Sequence, residues 1–102
     1  MTIYALSSGS GVSGVAVIRV SGKNTTKVVI KLTGSKLPSP RVATLKKFNK
    51  NEGKELIDEG VIIWFPAPNS YTGEDVAEFH VHGSRAVINA MHSTISKVKN
   101  CR

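Results

Sequence analysis

Val76-Ala-Glu-Phe-His-Val-His82 decides the fold, because it alternates apolar and polar residues along its length. Successive side chains of a strand point to opposite faces, so Ala77, Phe79 and Val81 share one face and Glu78, His80 and His82 the other. A strand of this kind covers a core on one side and leaves the other open. Gly14 to Val20 (Gly-Val-Ala-Val-Ile-Arg-Val) is nearly all apolar and reads as a central strand. Thr2 to Ser7 reads as a short strand. Val42 to Phe48 and Leu56 to Phe65 read as two more, joined by a hairpin turn over Asn49 to Lys54, with Gly60 marking a bulge. Ser21 is placed to cap a helix whose Val28, Val29 and Leu32 share one face while Lys23, Lys27 and Lys31 line another, and Gly34 supplies a left-handed C-cap. Pro38-Ser-Pro40 is a connector. Ser84 caps a last helix striped by Val87, Ile88, Met91, Ile95 and Val98. The pattern predicts an α+β fold: a mainly antiparallel or mixed sheet with two helices.

A length of 102 residues suits one domain with a single two-layer core. No run of 18 apolar residues offers a membrane span. Met1-Thr-Ile-Tyr4 opens without a basic stretch leading into an apolar one, so a cytoplasmic location is expected. Cys101 is the single cysteine and has no partner for an internal disulfide. The net charge of +7 is uneven: residues 1–51 hold nine Lys or Arg and no acid, whereas residues 52–102 hold five bases and seven acids. A basic half fits a phosphate or nucleic-acid surface, and equally a solvated lysine-rich one; the interleaved aromatics of a single-strand binder are missing.

Three features invite a chemical reading. Gly9-Ser-Gly-Val-Ser-Gly14 satisfies G-x-G-x-x-G, but a strand follows it where a dinucleotide site needs a helix N-terminus, and no acid precedes Glu52. The glycines suit a tight strand-to-strand turn or the close approach of a flat ligand. No G-x-x-x-x-G-K-[ST] occurs, so GTP binding by this chain is not expected. Glu78, His80 and His82 suggest a metal triad, yet side chains at i, i+2 and i+4 of a strand span about 13 Å and rarely all meet one ion, which favours histidines on a polar sheet face or in a ligand cleft. Arg19 and Glu78 are more telling, since each sits within a strand-like stretch where charge is costly unless paired. Either they pair across neighbouring strands, or they line a cleft in which a carboxylate and a guanidinium face a polar heterocycle such as a pterin. The long polar loop Pro66 to Asp75 lies just before Glu78, and such loops in compact domains are usually functional.

At these residues the chain resembles a known family. Gly14-Val-Ala-Val-Ile-Arg-Val-Ser-Gly22, Leu37-Pro-Ser-Pro-Arg41, Trp64-Phe-Pro-Ala-Pro-Asn-Ser-Tyr-Thr-Gly-Glu-Asp-Val-Ala-Glu78 and His82-Gly83 look like the N-terminal domain of the MnmE/TrmE tRNA-modification GTPases. The resemblance runs through essentially the whole chain. It implies a fold similar to the folate-binding domain of glycine-cleavage aminomethyltransferases, binding of 5-formyltetrahydrofolate or a related one-carbon folate, and a homodimer. It implies folate contacts at Arg19 and Glu78, with Asn69, Ser70, Tyr71, Thr72 and Gly73 as loop contributors. The family works with an MnmG-type FAD-dependent partner on the wobble uridine (U34) of tRNA, which this domain is expected to bind only weakly. The helical and GTPase domains, with their GTP, Mg2+ and K+, have no counterpart in these residues, nor does the family's Cys-x-Gly-Lys motif or a further folate-contacting lysine. Ser10, Val12 and Ser13 also depart from the usual Pro, Arg and Gly. The rival reading is an RNA-binding or dimerisation module with a vestigial folate cleft.

Overall fold

The computed structural model describes residues 1–7 and 14–102. Five strands and two helices run in the order β1 (Ile3–Leu6), β2 (Val15–Ser21), α1 (Thr25–Thr33), β3 (Thr44–Lys50), β4 (Glu55–Phe65), β5 (Val76–His82) and α2 (Arg85–Ser96). The strands form one sheet in the order β1-β2-β5-β4-β3. Every pair is antiparallel, so the α+β expectation holds and the mixed-sheet option drops out among the described strands. No described helix is long and apolar enough to cross a membrane.

The two helices pack on one face of the sheet. Ile18 and Val20 of β2, Ala77 and Phe79 of β5, Ile62 of β4 and Phe48 of β3 point into that layer and are fully buried. Val28, Val29 and Leu32 of α1 and Met91 and Ile95 of α2 meet them from above. Phe48 and Phe79 stand edge to face with centroids 5.3 Å apart, the arrangement that aromatic quadrupoles prefer. Burying each such side chain stabilises the fold by about 1.5–3 kcal/mol. Val87 and Ile88 of α2 are partly buried against the same cluster, as is Val98, which the sequence pattern put in the helix but which lies two residues beyond its end at Ser96.

Gly34 closes α1 in the left-handed conformation, as the sequence suggests, and Ser84 Oγ accepts the Val87 N–H to cap α2. Ser21 does not cap α1. It ends β2, its hydroxyl is taken by Thr72 Oγ1 at 2.8 Å, and the helix starts four residues later behind Asn24. Gly22 makes the intervening turn at φ 136°, where a Cβ would lie 2.6 Å from Thr2 Cα. Thr25 Oγ1 anchors the turn by donating to the Gly22 carbonyl.

The β3–β4 turn lies at Asn51–Lys54, with Asn51, Glu52 and Gly53 all at positive φ. The bulge is not at Gly60. The register slips between Phe48 and Asn49, which face Asp58 and Leu56, leaving Ile57 unpaired. Gly60 serves close approach instead, for a Cβ there would sit 2.1 Å from the His80 carbonyl oxygen. At the other edge Thr2 and Cys101 form a parallel bridge, with Arg102 N–H donating to the Thr2 carbonyl. The glycine-rich loop reading falls mainly on residues 8–13, outside the described residues.

Candidate functional site

The face of the sheet away from the helices carries the residues that interrupted the apolar pattern. Arg19 and Glu78 are direct cross-strand partners in the β2–β5 register. Arg19 Nη2 donates to Glu78 Oε2 at 2.7 Å and Nε donates to the same oxygen at 3.1 Å. The paired reading of these two charges is thus realised. The side chains are 34% and 12% exposed, so the carboxylate is shielded while the guanidinium still reaches solvent. Glu78 Oε1 faces His80 Nε2 at 3.3 Å.

The loop between β4 and β5 folds over one end of this face. Asp75 Oδ1 accepts the Ala67 N–H at 2.9 Å, and the Asp75 carbonyl accepts the Gly22 N–H, pinning the loop to the turn after β2. Ser70 Oγ donates to the Glu74 carbonyl, and Thr72 is held by Ser21. Gly73 sits in a tight turn at φ 79°. The loop thereby presents Tyr71, 79% exposed, with its ring 4.6 Å from the Arg19 guanidinium carbon. A cation over an aromatic face is attracted by the ring quadrupole, so Tyr71 and Glu78 hold Arg19 from two sides.

Beside them a shallow cavity of about 360 Å³ is lined by Arg41, Phe65, Asn69, Ser70 and Tyr71. Arg41 lies over the Phe65 ring at 5.7 Å and donates to the Asn69 carbonyl. The sequence reading singled out neither Arg41 nor Phe65 for the site. Their only signals were the Pro38-Ser-Pro40 connector, which forces the chain back toward β4, and the strand end next to the loop; Arg41 N–H bonds the Trp64 carbonyl at 2.8 Å.

His80 and His82 part company. His80 joins Glu78, whereas His82 Nδ1 lies 2.9 Å from Asp58 and its backbone N–H donates to the same carboxylate at 2.8 Å. Burial pushes the Asp58 carboxyl up, but the His82 backbone and imidazole outweigh it and leave the group below its ordinary range. No group of three or more metal-ligating side chains is gathered among the described residues.

The geometry offers a shielded carboxylate with unused acceptor capacity, a guanidinium held on an aromatic ring, and an open cavity of mixed lining. A carboxylate has about four acceptor sites, and Arg19 and His80 occupy three of them on Glu78.

Residues 2–102 match the family described as the GTP-binding protein TrmE N-terminus. The chain is 67% identical over its whole length to a tRNA modification GTPase MnmE of Pelagibacter ubique, of which it covers 23%. It is 50% identical over 99% of its length to the mitochondrial 5-taurinomethyluridine-[tRNA] synthase subunit GTPB3 of Danio rerio, covering 20%. It is 46% identical over 95% of its length to an MnmE of Paramagnetospirillum magneticum, covering 22%. The chain therefore spans about a fifth of the length of these relatives.

Proposed function

The chain belongs to the TrmE N-terminal family, and on that premise we propose that it is the reduced-folate-binding and self-pairing module of a protein that modifies tRNA. The ligand is 5-formyltetrahydrofolate or a related one-carbon form, seated on the open sheet face. The observation that carries the reading is the Arg19–Glu78 pair beneath Tyr71, next to the cavity at Phe65 and Asn69. A pterin presents an amino group and a ring N–H as two parallel donors, which one carboxylate accepts together. Glu78 has one acceptor site free, so a two-donor edge needs one present contact to yield. That free site is on Oε1, while Arg19 fills both sites of Oε2, so the contact that gives way is the longer of the two from Arg19, the Nε one at 3.1 Å. Arg19 then keeps the carboxylate charged and meets the pterin carbonyl or the folate's glutamate tail, while the Asn69–Gly73 loop covers the ring. A cavity of about 360 Å³ suits a pterin-sized group.

Self-pairing follows from the same face. Ile3, Val15 and Leu45 stand 60%, 55% and 65% exposed along the strands, and a symmetric copy of the face would cover them. The longer protein, working with an MnmG-type flavin partner on the wobble uridine, would use this module to present the one-carbon unit; this chain has no phosphate-binding loop for GTP.

Calorimetric titration of 5-formyltetrahydrofolate tests the proposal. Wild type binds, and Glu78→Gln, which turns a donor toward a donor, weakens binding at least tenfold, about 1.4 kcal/mol. Equal affinity of the two proteins removes Glu78 from the site. Light scattering at high micromolar concentration is expected to give a dimer mass, and a strictly monomeric mass would remove the pairing.

A further inference from the structure

The helical layer carries charge of one sign. Residues 22–36 and 83–102, which contain both helices, hold eight Lys or Arg and no Asp or Glu. All seven acids of the chain lie between Glu52 and Glu78. The domain is thus polarised, with its carboxylates in the β3–β4 turn, β4, β5 and the loop, and its helices bare of them.

Within that layer a cavity of about 480 Å³ opens where α1, the β3–β4 turn and the end of α2 meet, lined by Lys31, Asn51, Glu52, Lys54, Thr94 and Lys97. Three separate elements each bring one lysine: Lys31 from the last turn of α1, Lys54 from the hairpin turn, Lys97 from the C-cap of α2. Among the described residues none of the three ammonium groups is ion-paired; the lysine that does pair, Lys50 with Glu55, lies outside the cavity. Glu52 is the one carboxylate present and is exposed. Three like charges gathered around a hollow without a full counter-charge repel one another, and a phosphate-bearing ligand relieves that repulsion.

The layer also says what kind of polyanion fits. Lysines continue from the cavity along α1 to Lys27 and on to Lys23 in the turn before the helix, and beyond α2 to Lys99, as a repeating phosphate chain requires and a single phosphate does not. None of the exposed large apolar side chains of this layer is aromatic, so bases have no platform to stack on and the contact is to backbone. We propose that the helical layer docks the phosphate backbone of an RNA stem, anchored at Lys31, Lys54 and Lys97. The choice of RNA rests on the reading above that the chain serves a tRNA-modifying protein.

Anisotropy of a labelled RNA stem-loop, titrated with the chain between 50 and 200 mM salt (roughly the range over which counterion release is read), tests this. The variant Lys31→Gln/Lys54→Gln/Lys97→Gln is expected to bind at least tenfold more weakly. The slope of log affinity against log salt should become shallower by about 2.7, near 0.9 per lysine for a duplex. Lys46→Gln/Lys47→Gln/Lys50→Gln removes the same charge from β3 and is expected to change affinity less than threefold, with thermal melts confirming that both variants fold. Equal losses in the two variants overturn the proposal in favour of diffuse attraction, and no loss in the first overturns it outright. Binding to vesicles rich in anionic lipid, lost in the first variant while RNA does not bind, overturns it in favour of a membrane surface. Folate titration of the same variants separates this inference from the folate reading: the cavity variant keeps wild-type folate affinity, and a wild type that binds RNA but not folate fails only the earlier proposal.

Discussion

Removing either member of the Arg19–Glu78 pair should have unequal costs, and the inequality follows from how each is buried. Arg19→Met leaves Glu78, 12% exposed, with only the His80 contact. Glu78→Gln leaves Arg19, 34% exposed and stacked on Tyr71, with water still within reach. Stranding a fully buried charge costs about 3–5 kcal/mol, whereas a surface pair is worth about 0–1 kcal/mol. Discounting for solvent at the guanidinium puts Arg19→Met near 2–3 kcal/mol and Glu78→Gln near 1 kcal/mol. The double variant should cost less than the sum by about 1 kcal/mol, because neither charge is then stranded. At roughly 4–8 °C per kcal/mol for a domain of this size, Arg19→Met melts about 10–20 °C below wild type and Glu78→Gln about 4–8 °C below. Thermal unfolding of the four proteins at pH 7 reads all three quantities. A coupling within about 0.3 kcal/mol of zero, or Glu78→Gln the more damaging single change, would refute the reasoning.

Three further outcomes are expected. Asp58 is held below its ordinary value of 3.8, so its contribution is fully present above about pH 4 and is lost as the pH falls through the lower folded-state value. The melting-temperature gap between wild type and Asp58→Asn should therefore close on acidification, and a gap constant from pH 7 to 2.5 contradicts this. Burial pushes the Cys101 thiol up and leaves it only 9% exposed, so Ellman's reagent should react slowly with the native chain and fast in denaturant; equal rates would show the tail detached. Gly60→Ala drives a Cβ to 2.1 Å from a backbone oxygen that no rotamer can move, so β4 and β5 must part, with a loss above about 2 kcal/mol; a melt within 3 °C of wild type (roughly half a kcal/mol) contradicts it.

Much of the fold was legible because its signals are periodic. The alternation of Val76–His82 sorted β5 into its two faces, and the 3.6-residue spacing of Val28, Val29, Leu32, Met91 and Ile95 identified the helix faces that are buried. Arg19 and Glu78 were visible as charges that interrupt such patterns. What escaped notice depends on contacts between residues far apart in the chain. Ser21 has the composition of a cap, but Thr72, fifty-one residues later, takes its hydroxyl. Gly60 has the look of a bulge, but the neighbouring His80 carbonyl explains it. Arg41 over Phe65, and three lysines from three elements around one hollow, leave no periodic trace in sequence.

The strand order has a kinetic consequence. β3 and β4 are joined by a short turn, but β2 must find β5 across the rest of the chain, and Arg19 meets Glu78 at a separation of 59 residues. Each doubling of a loop adds about 0.6 kcal/mol of closure entropy, so that pairing costs about 2 kcal/mol more than closing a hairpin of a few residues. The β3–β4 hairpin is therefore available early, and the central pairing waits for the helices to gather the core. Tyr71 reaches Arg19 only when the loop into β5 is in place. The candidate site on the open face is thus complete only once that long-range pairing has formed, and a chain with just the hairpin and helices in place lacks the Arg19–Glu78 pair beneath Tyr71.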